Sequence, residues 1–171
     1  NILLTAWHCL ENYSDLSRQI QFHIKTQTGL NISRIGYQQI SGGGMHADWA
    51  ILRLRSAIAI SEVKPIDITA TQLAENDPIH FAGYVRKEET GEAFYRLKYS
   101  KCNILKIEIS EILTDCIASK GSSGGPVLIK TKDSSFKLIG VISQGDGKSL
   151  STVIPVATFQ TKLRNFNVKT N

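Results

Sequence analysis

The sequence contains no long hydrophobic run, no block of like charge and few cysteines, and each shortage argues against a class of protein. No apolar stretch approaches the roughly 18 residues that a membrane-spanning helix needs, so we do not expect membrane insertion. The 20 lysine and arginine residues are scattered, and the net charge is only +5, which favours an ordinary solvated surface over one that binds nucleic acid. With 42% hydrophobic residues among 171, the chain can still form a substantial core.

Three cysteines are too few for most cysteine-based metal sites. Cys102 and Cys116 are too far apart for a tight zinc knuckle, and no second pair completes four ligands. A disulfide between them is favoured, and it implies an oxidising compartment, so we expect a secreted or periplasmic protein. Cys9 is then left over, either as a free buried thiol or as the partner of a cysteine outside this sequence. No other set of side chains has ligand spacing, so the sequence predicts neither a metal nor a cofactor.

Short β-type runs separated by turn-prone segments dominate the chain. They are rich in Ile, Val, Leu, Phe and Tyr and lie at residues 1–6, 20–26, 30–37, 50–54, 79–85, 94–105, 126–130, 136–143 and 152–156. This spacing predicts an all-β sandwich or barrel. Residues 157–166 are the only helical pattern, and the weakly patterned stretch 64–77 could link two halves. Residues 1–6 already form a strand pattern without an initiator Met or signal peptide, so we expect a processed or truncated piece.

The sequence "KGSSGGPV" at residues 120–127 places two serines between glycines. Flanking glycines let the backbone adopt conformations that a Cβ atom would forbid, so that N–H groups can converge on a developing negative oxygen. A serine hydroxyl is a weak nucleophile near neutral pH and needs a base beside it. A flexible Gly/Ser linker is disfavoured, because the motif runs directly into the apolar residues 126–129.

The base for such a serine is most often a histidine, and the sequence has four. His8 follows an apolar strand in "LLTAWHCL", where its side chain can be held firmly. His23 lies on an alternating strand and is expected at the surface, while His80 begins a strand, where it packs or meets water. His46 lies in a loop shortly before Asp48. Asp48 stands directly before "WAILRL", where a carboxylate is partly buried and needs a partner, although a turn-capping role would also explain it.

The strings "TAWHC", "DWAILRL" and "GSSGGPV" occur in this order in an all-β chain. They resemble the TAAHC-like, DIAL-like and GDSGGP-like motifs of the chymotrypsin/trypsin-like serine proteases, in the style of bacterial secreted members. The resemblance runs from Leu4 to the C-terminal helix and implies a serine endopeptidase that acts on protein or peptide substrates. It implies Ser123 as nucleophile, His8 as its base and Asp48 as the residue that fixes the His8 tautomer. It also implies an oxyanion hole formed by the N–H groups of Gly121 and Ser123.

The same resemblance implies two antiparallel six-stranded β-barrels followed by a C-terminal helix. Residues 1–70 would form the N-terminal half-barrel that carries the histidine and the aspartate, without its opening strands. Residues 71–171 would form the C-terminal barrel that carries the serine. In relatives, a cysteine in those opening strands pairs with the cysteine after the histidine, so an N-terminal segment that completes the first barrel is an expected partner and would account for Cys9.

Two positions depart from the family pattern. Ser122 stands where animal members carry an aspartate that pairs with a newly cut N-terminal amine, which argues against that mode of activation. Ile117 stands at the base of the substrate pocket and cannot attract lysine or arginine, so apolar or small residues are the expected substrates. The other predicted substrate-binding residues are Ala118, Ser143, Gln144 and Gly145. For Gln144, a structural role in the second barrel is an equally compatible interpretation.

Two further functions compete with the endopeptidase. A catalytically silent trypsin-like fold could act as a binding module, but silent relatives usually lose a triad residue, and none is lost here. A secreted lipase or esterase needs a strand–turn–helix around its G-x-S-x-G motif. The string "GSSGG" matches that motif, but Pro126 and the strand pattern after it disfavour the helix.

Overall fold

The N-terminal half of the chain forms a four-stranded antiparallel sheet. The computed structural model describes residues 1–13, 20–26, 28–44, 47–89 and 92–168. The strands lie in the order β1-β4-β3-β2, with bounds β1 Ile2–Thr5, β2 Ile20–Lys25, β3 Asn31–Ser41 and β4 Ala50–Leu54. A 3₁₀ helix, Trp7–Tyr13, follows β1. Along β2, exposed and half-buried residues alternate. The central strand β4 is buried at four of its five positions because its two faces pack into different clusters, Ile51 into one and Ala50 and Leu52 into the other.

The second half of the chain closes into a six-stranded antiparallel barrel with the strand order β10-β7-β6-β5-β8-β9. The bounds are β5 Pro78–Glu89, β6 Glu92–Ile107, β7 Ile112–Thr114, β8 Pro126–Lys130, β9 Phe136–Gly145 and β10 Ser151–Pro155. A helix, α1 Val156–Val168, follows β10 directly. Between β4 and β5 the chain makes an isolated parallel bridge, Ile68 to Leu138.

Strand β9 is buried over six consecutive residues because its two faces contact different hydrophobic clusters. Ile139 and Ile142 belong to the cluster inside the barrel, whereas Val141 belongs to a cluster that joins the barrel to the first sheet and to α1. In that joining cluster, the rings of Trp49 and Phe159 lie 5.4 Å apart between centroids. The segment before β4 is therefore held against the barrel and the final helix.

The all-β architecture with a closed second barrel, an incomplete first barrel and a C-terminal helix confirms the expected fold class. The helix is slightly longer than the predicted 157–166, and the boundary near residue 70 stays a prediction. Strand β7 was absent from the predicted runs, because three residues are too few to show alternation. Among the described helices, none is long and apolar enough to cross a membrane.

The cysteines divide as the sequence suggested. Cys102 and Cys116 form a disulfide, with their Cα atoms 5.1 Å apart, so that predicted pairing is confirmed. Cys9 is a free thiol, and the residue is exposed rather than buried.

Candidate active site

The pairing of β1 with β4 brings His8 and Asp48 together. Thr5, the last residue of β1, pairs with Ala50, the first residue of β4. The end of β1 and the start of β4 therefore lie side by side at one end of the sheet. His8 stands in the 3₁₀ helix just after β1, and Asp48 stands just before β4, so their side chains meet at that end.

Both carboxylate oxygens of Asp48 bind His8. The backbone N–H of His8 donates to Oδ1 at 2.9 Å, and His8 Nδ1 lies 2.7 Å from Oδ2. Because a carboxylate oxygen only accepts, this contact holds the proton on Nδ1, so Nε2 is the ring nitrogen that carries the lone pair. The Asp48 side chain is 5% exposed and the His8 side chain 41% exposed, so the buried acid orients a ring whose other face meets solvent.

Ser143 is a third partner of the same carboxylate. Its hydroxyl donates to Asp48 Oδ2 at 2.5 Å, and the residue is buried. Ser143 stands at an irregularity in the β9–β10 register, where Thr152 faces Gln144 and the next residue, Val153, faces Ile142. The extra residue in β9 is a bulge, and a bulge redirects a side chain out of the normal alternation. Sequence reasoning predicted a substrate contact for Ser143 and did not foresee its bond to Asp48.

The serine loop between β7 and β8 is a series of tight turns. The N–H of Ser122 donates to Ser119 O at 2.9 Å, and the N–H of Gly125 donates to Ser122 O at 3.0 Å. Gly121 and Gly124 have φ angles of +96° and +78°, in the left-handed region that residues with a Cβ atom rarely adopt. The glycines that flank the two serines are therefore required by the path of the backbone.

Gly124 brings this loop against the end of β1. A Cβ atom added at Gly124 would collide with the Thr5 hydroxyl and lie 3.1 Å from Ala6 N. Only a glycine lets the two backbones approach so closely. The contact places Ser123 next to the segment that carries His8, although the serine loop precedes a strand of the barrel and the His8 segment follows a strand of the first sheet.

A cleft of about 390 Å³ collects these side chains. It is lined by Trp7, His8, Glu11, Gly44, Asp48, Ala118, Ser119, Lys120, Ser123, Ser143, Gln144 and Gly145. Among the described residues no hydrogen bond joins Ser123 to His8, and such contacts often tighten only when substrate binds. The arrangement is a buried acid, an oriented imidazole and a serine facing one solvent-filled space.

The family model for trypsin matches residues 1–166. The chain belongs to the trypsin family. No individual curated protein matches the chain significantly.

Most of the predicted site residues of this trypsin-family chain line the cleft, and two do not. Ile117 is 40% exposed and is not part of the lining, so its role as pocket base stays a prediction. Gly121 lines a neighbouring cavity of about 290 Å³, and Ser123 lines both cavities. In the part of the chain that the structure describes, neither Gly121 nor Ser123 donates its backbone N–H to a protein acceptor. The N–H groups expected to form the oxyanion hole are thus available, and the hole itself stays a prediction.

Sequence reasoning did not predict five residues of the cleft lining, namely Trp7, Glu11, Gly44, Ser119 and Lys120. Glu11 shares a face with His8 because positions i and i+3 eclipse in a 3₁₀ helix. The three-residue spacing of His8 and Glu11 could have indicated that Glu11 lies beside the cleft. The sequence pattern did not predict a 3₁₀ helix at these residues, so the spacing was not used.

The other histidines and Cys9 offer no competing chemistry in the described residues. His23 is exposed on β2, and His46 lies outside the described residues. His80, on β5, is buried against the rings of Tyr99 and Phe136. The Cys9 sulfur lies 3.9 Å from His8 Nε2. Although the residue is exposed overall, neighbouring atoms partly shield the thiol group from solvent, and this desolvation raises its pKa. A hydrogen bond to Thr5 opposes that shift, and the charge of Asp48 adds to it. A thiol with a raised pKa stays protonated near neutral pH, so Cys9 is not an activated nucleophile.

No metal centre accompanies the cleft. Within the described ranges, His, Cys, Asp and Glu side chains nowhere form the cluster of three or more that would hold a metal ion.

Proposed function

We propose that the chain is a serine endopeptidase that hydrolyses peptide bonds through an acyl-enzyme, with Ser123 as nucleophile, His8 as base and Asp48 as its orienting acid. The observation that carries the proposal is the bond between buried Asp48 and His8 Nδ1 at the edge of a cleft that Ser123 also lines. It leaves Nε2 as the only ring nitrogen that can take a proton from the serine. The trypsin-family match agrees with a protein or peptide substrate.

The first half of the reaction forms an ester. Ser123 Oγ attacks the carbonyl carbon of the scissile bond while its proton passes to His8 Nε2, giving a tetrahedral oxyanion. The N–H groups of Gly121 and Ser123 donate to that oxyanion. The C–N bond then breaks, the leaving amine takes the proton from His8, and the acyl group stays on Ser123. Asp48 faces the imidazolium during both proton transfers and stabilises its charge.

The second half returns the free enzyme. A water molecule gives a proton to His8 and attacks the ester carbon, and the bond to Ser123 Oγ breaks as that oxygen takes the proton back. The peptide acid leaves. Ser143 keeps the Asp48 carboxylate in place through its hydrogen bond to Oδ2, so it acts as a positioning residue while its backbone lines the substrate cleft. Ala118, Gln144 and Gly145 complete the substrate-binding set, and the disulfide agrees with a secreted or periplasmic location.

No described contact favours the alternative of a catalytically silent binding module, since all three side chains of the triad are present. The esterase alternative is also not favoured, because strand β8, and not a helix, follows the serine loop. Cleavage of peptides as well as activated esters would separate the endopeptidase from an esterase.

A fluorophosphonate probe tests the nucleophile directly, with the intact mass of the protein as readout. We expect one adduct on the native chain, none on Ser123→Ala, and one on the matched control Ser122→Ala. Ser122 is adjacent and buried, so the pair of variants separates the chemistry of one serine from damage to the loop. An adduct that persists in Ser123→Ala, or no adduct on the folded native chain, would contradict the proposed function.

A further inference from the structure

The proposed reaction fixes which wall of the cleft receives each half of the substrate. The leaving amine takes its proton from His8, so the peptide segment after the scissile bond lies on the His8 and Glu11 side. The acyl half stays on Ser123 and lies along the remaining lining of the cleft. Two barrel segments in that lining, residues 118–120 and 143–145, form this wall. The side chain of the residue that supplies the scissile carbonyl therefore points toward these two segments.

The two segments of this wall are already in contact. A Cβ atom added at Gly145 would lie 2.7 Å from Ala118 Cβ, 2.8 Å from Ala118 O and 3.1 Å from Leu150 O. Carbon atoms pack at about 3.5–4.0 Å, so an inserted substrate side chain would need that separation on both of its sides. No such gap exists between Ala118 and Gly145. A side chain longer than a methyl group cannot pass between the segments without moving one of them.

The wall is also held from behind. The carboxylate of Asp146, the residue after Gly145, accepts the backbone N–H groups of Lys148 and Ser149 at 2.8 Å and of Leu150 at 3.0 Å. These bonds hold the pKa of Asp146 well below its usual range, so its carboxylate stays charged and keeps the turn fixed at ordinary pH. Asp146 is not part of the cleft lining, so its charge is not placed to meet a substrate lysine or arginine inside the cleft.

Nothing else on this wall selects a large or charged side chain. Ala118 is 5% exposed and has an apolar side chain, and Ile117 is not among the lining residues. Lys120 lines the cleft but is exposed, and an ion pair between it and an acidic substrate residue would contribute little in contact with solvent. The wall thus offers a shallow apolar surface beside Ser123.

From these contacts we propose, on the basis of the proposed function, that the closed wall between Ala118 and Gly145 restricts the residue before the scissile bond to a small uncharged one, namely glycine, alanine or serine. The restriction is steric. It distinguishes this cleft from one that admits aromatic, long aliphatic or basic side chains.

A set of internally quenched peptides that differ only in the residue before the scissile bond tests the restriction. The residues to compare are glycine, alanine, serine, valine, leucine, phenylalanine, lysine and glutamate, and the readout is kcat/KM with the cleavage position confirmed by mass. We expect the alanine peptide to exceed the phenylalanine and lysine peptides by about 100-fold, the size of discrimination that a closed apolar pocket gives.

Two variants test the wall itself. Ala118→Gly removes the Cβ atom that meets Gly145 and should raise kcat/KM for the valine peptide relative to the alanine peptide. Gly145→Ala adds the colliding methyl group and should lower kcat/KM even for the alanine peptide. Ile139→Val is the control for loosened packing, since Ile139 is buried in the same barrel away from the cleft, and it should leave the valine-to-alanine ratio unchanged.

The outcomes separate the two proposals because the fluorophosphonate labels Ser123 without needing a particular substrate side chain. If Ser123 is labelled and small residues are preferred, the restriction holds. If Ser123 is labelled but phenylalanine or lysine is preferred, or no peptide is cut, the restriction is wrong while a reactive serine remains. If Ser123 is not labelled on folded protein, the proposed function fails, and the restriction that rests on it fails as well.

Discussion

Replacing Asp48 with asparagine isolates the contribution of one buried charge to the proposed catalysis. Asp48→Asn keeps the size of the side chain and removes a negative charge whose Oδ2 lies 2.7 Å from His8 Nδ1. When His8 accepts the serine proton it becomes a cation, and opposite charges about 4 Å apart near a protein surface attract by about 4 kcal/mol. Because about 1.4 kcal/mol corresponds to a tenfold change in rate, we expect kcat to fall about a thousandfold. The asparagine amide can also donate to Nδ1, which moves the ring proton to Nε2 and removes the base.

The assay is steady-state ester and peptide hydrolysis at neutral pH, together with the rate of fluorophosphonate labelling. Asp115→Asn is the matched control, since the Asp115 carboxylate also accepts two bonds, at 2.5 and 3.1 Å from Asn103, but is not part of the cleft lining. It should leave kcat unchanged. If Asp48→Asn were folded and retained most of the wild-type kcat, the reasoning from the buried charge would be refuted.

Three other perturbations probe the structure around the site. Gly124→Ala should abolish labelling of the serine and destabilise the fold by about 1–3 kcal/mol in urea unfolding, because alanine tolerates a φ of +78° poorly and its methyl group meets the end of β1. Replacing Cys102 and Cys116 together by alanine should lower the free energy of unfolding by about 3 kcal/mol, as expected for a bridge spanning 14 residues, again measured in urea. Burial, aided by the charges of Lys101 and Lys130, lowers the pKa of His80 in the folded protein. The unfolded chain therefore binds more protons than the folded chain, so the free energy of unfolding should fall as the pH drops from about 6.5 toward the lower folded pKa. The variant His80→Gln should show a smaller decline over the same pH range.

Two controls sharpen these tests. Gly147→Ala introduces the same kind of strain at a φ of +72° but meets nothing within 4 Å, so it should be destabilising by about 1 kcal/mol and keep activity. Equal loss of activity in both glycine variants would point to backbone strain instead of the contact with β1. His23→Gln changes an exposed histidine and should leave the pH dependence of stability as it is in the native chain.

The sequence predicted the strands best where hydrophobic runs were long. The run "FKLIGVIS" became β9, because six buried residues in succession leave a clear apolar signal. Ile112–Thr114 did not, since three residues show no period and gain their strand conformation from the two neighbours they pair with. Long-range pairing, not local propensity, decides such short strands.

The candidate site was predictable where it follows motifs and not where it depends on irregular backbone. His8, Asp48 and Ser123 were named from three strings in order, and all three line the cleft. The bond from Ser143 to Asp48 depends on a bulge in β9, whose position no periodicity reveals. The approach of Ala118 to Gly145 depends in turn on how the serine loop meets the end of β9, and local sequence patterns do not reveal such a tertiary contact.

The packing of Trp49 against Phe159 has a consequence for the order in which the protein folds. Trp49 follows Asp48 directly, and its partner belongs to α1, near the other end of the sequence. The segment that carries Asp48 is synthesised well before α1, so it gains this contact only after α1 has been made. The support behind the proposed acid therefore depends on a helix more than a hundred residues later in the chain, and not on the neighbouring strands alone.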